Sequence, residues 1–522
     1  MQSFELSLHN NLPPTNFHSI THLLKAHNSL FSLTLKDAHL IPFISCITEI
    51  LKNNTSLHKL SLSHMVIYDE ETKDAAQIIT EVLKNNTSLT HLELRCCNLP
   101  LSTNYLAEIL KISTTLRILK LPFTPGEPAE IPYAIAALSN TTSLHTLDLQ
   151  FNYFGPESMH FFVDLFKANR FLHSLNLRYN RIGIAGAQAL AEALKINDSL
   201  HILKLGQNDI GSAGAYYIGH EINRQRSLRK LSLFTMGIGP AGAMYIAEAL
   251  KVNSSLRMLN LAYNNIGTAG AQAIAEALTI NHSLRKIDLS DNHVGLRGIQ
   301  YYAEMLKINT SLRSLVIGRE ETIDPEKSSC IIDTFKNNMS LRKLELYFIP
   351  ISLEGIKLFA EVLKTNNSLR ELLLEYNGIE STGTQYLAEA LKINISLRKL
   401  SLNKNMIGLA GVQYLAEALK VNISLRKLSL NYTLGGSYGA RYLTDTIKNN
   451  TSLRVLSLVG NKFDDTSIKF FADIFRTNNT LRVLDLSCNA KISLKGVQHI
   501  LAALKLNTSL NQLSFSLDFS AP

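Results

Sequence analysis

The block S-L-x-x-L-x-L returns about every 28 residues along the whole chain of 522 residues. Its first leucine recurs 18 times, from Leu30 and Leu57 through Leu172, Leu200, Leu228, Leu256, Leu284 and Leu312 to Leu510, and a truncated copy, Phe4-Glu5-Leu6-Ser7-Leu8, brings the count to 19 units. A fixed period is read before any other signal, because it fixes the architecture. Length alone would suggest three or four domains, but a repeat array grows by stacking one unit on the next, not by enlarging a core. The expectation is a single domain over 1–522, with a truncated capping unit at 1–29 and a half unit at 510–522. Such a chain leaves no room for a separate catalytic domain, so no enzymatic activity is expected.

The segment Leu397–Asn422 shows what one unit builds. Leu400 and Leu402 alternate with Lys399, Ser401 and Asn403, a short strand with one apolar face. Ile407, Gly408 and Gly411 mark a turn. Gly411 to Lys420 carries strong helix formers, with Leu415 and Leu419 on one stripe and Lys420 at the negative end of the helix dipole. Neither element can bury its apolar face alone, and stacking buries both. Helices are about 10 Å wide, whereas adjacent strands sit about 4.8 Å apart. The stack is therefore expected to bend into an α/β horseshoe, with parallel strands on the concave face and helices on the convex face.

The pattern L-x-x-L-x-L-x-x-N followed by G-A-x-x-L-A-E-A-L-K resembles the leucine-rich repeat of the ribonuclease-inhibitor type, and the resemblance runs through essentially the whole chain. In that family the asparagine bonds the backbone of adjacent turns into a ladder. Here the position holds Asn152, Asn180, Asn208, Asn264, Asn292, Asn377, Asn405, Asn461 and Asn489, and Cys97 in one unit, a replacement the family tolerates. It departs to Met65, Thr124, Met236, Glu320, Ile349 and Thr433, where a regular turn is not expected. The resemblance implies a protein-binding scaffold. Its plain, lysine- and asparagine-rich units look most like stand-alone members that intracellular bacteria deliver into host cells as effectors. Similar repeats also form activators of the Ran GTPase, but the acidic tail of those proteins is missing here.

Five cysteines (Cys46, Cys96, Cys97, Cys330 and Cys488) make no even framework, which points to a reducing compartment. The N-terminus shows no signal peptide, and no apolar run approaches the roughly 18 residues of a membrane span. N-x-S/T triplets headed by Asn54, Asn86, Asn140, Asn253, Asn309, Asn394, Asn422, Asn450 and Asn507 recur in phase before the strands. They read as turn chemistry, asparagine tolerating the left-handed conformation that ends a helix. A cytoplasmic location is expected, in the host cell if the chain is a delivered effector.

The period also dissolves apparent chemistry. Gly237-Ile238-Gly239-Pro240-Ala241-Gly242 fits the dinucleotide pattern, yet Gly239 and Gly242 share the phase of Gly183 and Gly186, and no acidic residue stands near Ala262 to read a ribose. Ser-x-x-Lys recurs at Ser227, Ser283, Ser340, Ser396 and Ser424, so it marks the start of each strand and not a nucleophile. His58, His145, His173 and His201 share one phase, better explained by structure than by metal. No cofactor is expected.

The residue after the first leucine becomes arginine in an unbroken row of ten from Arg229 to Arg482, after an isolated Arg117. The structural reading is that each caps carbonyls at a preceding helix end and pairs with nearby carboxylates. The functional reading is a rail for an acidic partner or an anionic membrane surface, and the net charge of +9 is modest for this length. Nucleic acid is not expected, since no other module for it is recognisable. Units after Leu57, Leu116 and Leu312 are irregular, with Asp69-Glu70-Glu71, with Pro122, Pro125, Pro128 and Pro132, and with Arg319 to Pro325 respectively.

The candidate binding site is the face outward from the strands. Two places past the last leucine the column reads Phe123, Phe151, Tyr179, Gln207, Thr235, Tyr263, Asp291, Arg319, Phe348, Tyr376, Lys404, Tyr432, and one place past it stand Phe234 and Tyr347. Solvent-facing columns need no aromatics for packing, and tyrosine and phenylalanine anchor protein interfaces. A second column holds Lys59, Lys230, Lys286, Lys343, Lys399 and Lys427, with Asp148, Asp288, Glu345, Glu371 and Asp485 read one position further along. A mixed-charge face with aromatic anchors suits a folded protein better than a small molecule, which needs a closed pocket. The expectation is a monomeric, non-enzymatic scaffold for a protein partner. A Ran-type GTPase activator and an anionic-membrane binder are the alternatives.

Overall fold

The computed structural model describes residues 2–7, 30–36, 56–63, 86–95, 114–122, 135, 137–139, 141–319, 332, 334–433, 435–489, 492–505 and 507–516. The chain divides into two compact units, Met1–Asn264 and Asn265–Pro522. In the first, ten strands run from Gln2–Ser7 (β1) to Met258–Asn260 (β10), each parallel to the next in sequence. Its described helices are Met159–Ala168 (α1), Gly183–Ile196 (α2), Gly211–Arg224 (α3) and Gly239–Val252 (α4). In the second, nine strands run from Lys286–Asp288 (β11) to Gln512–Phe515 (β19), again parallel neighbours. Its described helices are Gly267–Ile280 (α5), Gly295–Ile308 (α6), Leu353–Thr365 (α7), Ser381–Ile393 (α8), Gly408–Val421 (α9), Gly436–Ile447 (α10), Asp465–Thr477 (α11) and Leu494–Leu504 (α12). Each unit is an α/β stack of strand–turn–helix repeats. The acidic insert at 69–71, three of the four prolines after Leu116 and positions 320–325 fall outside the described residues.

Register follows the repeat. Leu400 lies opposite Leu428, and Leu428 opposite Leu456. Leu397, Leu400, Leu402, Ile407, Leu415 and Leu419 are all buried, so each repeat contributes a complete slice of core. Burying one such side chain is worth about 1.5–3 kcal/mol. The strand Lys399–Ser401 is shorter than the alternation from Leu397 to Leu402 suggests, but the ladder continues beyond it, with Arg398 N–H donating to Arg370 O at 2.7 Å and Leu402 N–H to Ser429 O at 3.0 Å. The helix starts earlier than expected, at Gly408. Gly411 lies inside its first turn, where an added Cβ would stand 3.2 Å from Thr384 of α8. A side chain there would crowd Ile407 of the same turn as well as the adjacent helix.

After each strand from Thr146–Asp148 to Val483–Leu486 the chain turns through left-handed backbone. Tyr179 (φ 57°), Arg181 (55°) and Gly183 (61°) show the pattern, and each non-glycine residue so held costs roughly 1–2 kcal/mol. The asparagine ladder holds the turn in place. Asn405 is buried; its Nδ2 donates to Leu374 O at 2.7 Å in the preceding repeat and to Leu402 O at 2.9 Å in its own. Its Oδ1 accepts from Asn377 N–H at 2.9 Å and Ile379 N–H at 3.1 Å. One side chain thus satisfies backbone groups on both sides of the stack.

Of three units that lack the asparagine, the one at Met236 keeps the regular turn, contrary to expectation, with Thr235, Gly237 and Gly239 all left-handed, and the one at Thr433 keeps left-handed Tyr432 and Gly436. The unit at Ile349 keeps only the first such position, Phe348, and is extended at Ser352 (φ −64°). Met236, Ile349 and Thr433 each donate their N–H to the asparagine of the next repeat, Asn264, Asn377 and Asn461, at 2.8, 2.9 and 3.0 Å. The neighbour supplies the acceptor for that N–H, and at Thr433 the hydroxyl also replaces the missing amide donor, 2.9 Å from Leu430 O. Met65, Thr124 and Glu320 lie outside the described residues.

The second series of asparagines works differently from the sequence reading. Asn253, Asn309, Asn394 and Asn422 cap helices in extended backbone (φ −67° to −75°), not in the left-handed region. The residue is needed for its amide. Asn422 Nδ2 donates to Leu391 O at 2.7 Å, at the end of the preceding helix, while Oδ1 accepts from Ser424 N–H and Leu425 N–H at 3.0 and 2.8 Å. These bonds satisfy helix-end carbonyls that would otherwise be orphaned.

Replacing Asn405 by alanine orphans two buried carbonyls and two N–H groups. The Asn405→Ala chain is expected to lose about 3 kcal/mol or more of unfolding free energy in urea, whereas Asn403→Ala on the half-buried face should lose less than half as much.

Candidate binding face

The aromatic column does not stand on the strands. Phe151, Tyr179, Tyr263, Phe348, Tyr376 and Tyr432 all have φ between 50° and 63°, so they occupy the first left-handed position of the turn. The candidate site is therefore a stripe along the C-terminal edge of the strands, and it is described for each unit separately. Phe123 lies outside the described residues.

In the first unit Phe151 and Tyr179 stack, ring centroids 3.9 Å apart. The Arg178 guanidinium stands 4.8 Å from the Phe234 ring centre and donates to Ser232 Oγ at 3.2 Å. Gly206 makes this possible, because the Phe234 ring lies where a Cβ would be. Tyr263 is exposed. Below the aromatics, register aligns Glu93, Lys120, Asp148, Asn176, Lys204 and Ser232. Burial pushes the Lys204 ammonium below its ordinary value, and repulsion from Arg178, Lys120 and Lys230 adds to it against the attraction of Asp148. Burial and mutual repulsion make these four cations costly to gather, offset in part by Asp148 and by the pairing of Lys120 with Glu93. Glu93 is held down at about 2 by the His91 ring, 3.8 Å away, and by the Lys120 ammonium at 3.3 Å.

In the second unit Phe348 and Tyr376 stack at 4.0 Å. The Lys404 ammonium lies over Tyr376 and Tyr432, 4.6 and 5.1 Å from the ring centres, and donates to the Tyr376 hydroxyl. Tyr432 lies across Gly460, and Tyr347 across Gly318. Tyr347 reaches back two repeats, its hydroxyl donating to Asp291 Oδ2 at 2.6 Å, and Arg319 Nη1 stands 3.5 Å from Asp291 Oδ1. Lys286 and Lys399 are half-buried on their strands. Glu371 belongs to the lysine row and not one place further along, since it pairs with Lys343 on one side and Lys399 on the other.

Much of the polar face is used internally. Asp288 Oδ1 accepts from Ser290 Oγ at 2.7 Å, and Asp148 and Asp485 likewise accept from the N–H two residues on. Burial raises the Asp288 carboxyl, offset in part by Ser290. Glu375 accepts from Ser401 and Asn403, which in turn accepts from Ser429 and Asn431. Asp148, Asp288 and Asp485 thus bond within their own turns, while Lys343 pairs with Glu345 at 2.9 Å, so the face keeps both signs of charge beside its aromatics. Tyr153 and Arg181, 4.5 Å from ring centre to guanidinium, extend the first stripe. They share the column four places past the last leucine and could have been found by reading it.

Other motifs receive structural roles. His58 and His201 each point Nδ1 at the carbonyl two residues back, at 2.6 Å, and His145, His173 and His201 stack in a file about 5 Å apart. Ser340, Ser396 and Ser424 donate their hydroxyls to Leu312 O, Leu369 O and Leu397 O. Gly237 and Gly239 are both left-handed turn residues (φ 64°), and Gly242 faces Ala215, 3.0 Å from where its Cβ would be. The arginines do bond carbonyls: Arg229 and Arg257 bond Arg226 O and Ser254 O just past the preceding helix, at 3.1 and 3.0 Å, whereas from Arg285 on the bonded carbonyl is that of the following repeat. Arg398 Nη1 donates to Ser424 O at 2.8 Å and Arg426 Nη1 to Ser452 O at 2.9 Å.

A solenoid of strand–turn–helix repeats with an asparagine ladder defines a class of repeat scaffold. A model described as Leucine Rich repeat matches residues 168–191, 197–219, 252–275, 281–301, 365–388, 394–416, 449–472 and 477–501, and the chain is a leucine-rich-repeat protein. No curated protein matches its sequence. Among solved structures, a chain from the Rad7 and Elc1 complex in yeast is 18% identical with TM-score 0.40, covering 59% of this chain and 81% of that one. Leiomodin-1 Actin-Binding Site 2 is 21% identical with TM-score 0.27, covering 28% and 86%.

Two outcomes check this geometry. Glu93 is depressed from its usual 4.5 to about 2, so its contribution to stability is present above pH 4.5 and is lost as pH falls toward 2. The Glu93→Gln chain should show a shallower fall of unfolding midpoint across that window. Gly318→Ala would place a Cβ 2.6 Å from Tyr347 O. It should cost about 1–3 kcal/mol and change the near-ultraviolet circular dichroism of the tyrosines.

Proposed function

We propose that the chain is a non-enzymatic scaffold that captures a folded protein partner along the aromatic stripe at the C-terminal edge of its strands. Leucine-rich-repeat proteins usually bind protein partners. The observation that carries the reading is the cost of the stripe. Phe151, Tyr179, Tyr263, Phe348, Tyr376 and Tyr432 occupy left-handed backbone that asparagine or glycine would hold with less strain. Tyr263 and Tyr432 are also left exposed. Rings fixed by stacking and by glycine beds lose little freedom on binding, which favours affinity. Arg178, Lys204 and Lys404 beside them suit a partner whose surface carries carboxylates. Delivery into a host cytoplasm as a bacterial effector is the finer form of this proposal, and it is supported by the resemblance of the repeat units alone.

Asparagine tolerates φ near 57°, so Tyr179→Asn, Tyr263→Asn and Tyr376→Asn together remove the rings with little strain. Capture of partners from a cell lysate, read by mass spectrometry, should fall about tenfold or more while far-ultraviolet circular dichroism stays unchanged. A triple variant that captures the same proteins at the same level would overturn the proposal.

A further inference from the structure

The opposite edge of the second unit carries a different chemistry. Parallel strands that each follow a helix place every helix-to-strand turn on one rim. Eight arginines from Arg285 to Arg482 stand at the strand starts there, one per repeat. Each Nη1 donates to the carbonyl just before the next repeat's first leucine, at 2.7 to 3.3 Å. That bond fixes the guanidinium and occupies one of its five donors. Among the described residues none of the eight forms an ion pair with a carboxylate. The turns themselves, such as 308–313, 393–398 and 421–426, contain no acidic residue. One helical turn in from the rim, Lys307, Lys364, Lys392 and Lys420 are each paired with a glutamate at 2.6 or 2.7 Å, so these charges cancel and the arginine row remains.

The same turns expose aliphatic side chains. Ile308, Met339, Ile393 and Val421 are all exposed, and at the tips Ile395 is 68% exposed and Ile423 72%. The fold does not ask for them. The position of Ile395 and Ile423 is Met339 in one other repeat and His282, Thr310, Asn367, Thr451 and Asn479 in others. A rigid rim that alternates cations with protruding aliphatics matches the two terms of interfacial membrane binding, phosphate attraction and shallow apolar insertion. A nucleic acid would use the cations but not the aliphatics, and among the described residues the tips of this rim carry no tyrosine or phenylalanine for base stacking.

We propose that the strand-start rim of the second unit docks on an anionic lipid bilayer. Its arginines face lipid phosphates and carboxylates, and Ile395 and Ile423 insert among the headgroups. Among the described residues no helix is long and apolar enough to cross a membrane, so the association is peripheral. It is independent of the aromatic stripe, which lies along the other edge.

The test is co-sedimentation of the full chain with vesicles of phosphatidylcholine containing about 30% phosphatidylserine. Binding is expected at low salt, released near 0.5 M salt, and weak on pure phosphatidylcholine. Ile395→Ser with Ile423→Ser, and separately Arg398→Gln with Arg426→Gln, should each weaken binding about tenfold, with unchanged far-ultraviolet circular dichroism. Glutamine keeps a donor for the carbonyl, so folding and binding are separated. The Tyr179, Tyr263 and Tyr376 variant should sediment as the wild type does. The proposal is overturned if the folded chain fails to sediment with anionic vesicles, if neither pair of substitutions weakens binding, or if duplex DNA retains the chain at lower concentration than the vesicles do.

Discussion

Everything in this solenoid depends on one kind of contact, a buried asparagine amide that bonds the backbone of two repeats at once. Asn405 donates to Leu374 O and Leu402 O and accepts from Asn377 and Ile379 N–H groups. Asn422 does the same work at the other rim, between a preceding helix end and the next strand. Short strands leave most backbone groups in turns, and buried turns need partners for them. With both series in place, the turns become rigid enough to hold left-handed backbone and to present side chains at fixed positions.

The two rims follow from this. At the strand ends the turn forces φ above 50° on residues such as Tyr179 and Tyr376, which throws their rings into a stack along the edge. At the strand starts the turn stays extended and solvent-facing, and the arginines bind the carbonyl of the next repeat. Like charges in file would repel strongly in a dry site, but at a wet rim the repulsion is screened. The fold tolerates such a row; it does not require one.

Much of this was legible. Leu397, Leu400 and Leu402 declare their buried face through alternation, and the shared phase of Ser396 and Ser424 marks them as structural. The columns Phe151–Tyr179 and Phe348–Tyr376 were found by counting. Less visible were side chains whose partners lie in other repeats. Tyr347 meets Asp291 across 56 residues, and Phe234 meets Arg178 only because Gly206 leaves a space between them. Nor did the pattern show that Asp148, Asp288 and Asp485 bond their own turns. The asparagine in N-x-S/T triplets misled: its position is right, but its reason is the amide and not the backbone angle.

The sequence by itself determined the unit, its period, the buried leucines and the ladder, because each of these is a local pattern repeated until it cannot be chance. The tertiary structure decided which turn survives without its asparagine, where the aromatic stripe stands and which charges remain free for a partner. Those depend on what the next repeat places alongside, as Asn264 does for Met236 and Asn461 for Thr433. A residue's own neighbours in the chain carry no record of a bond that only stacking creates.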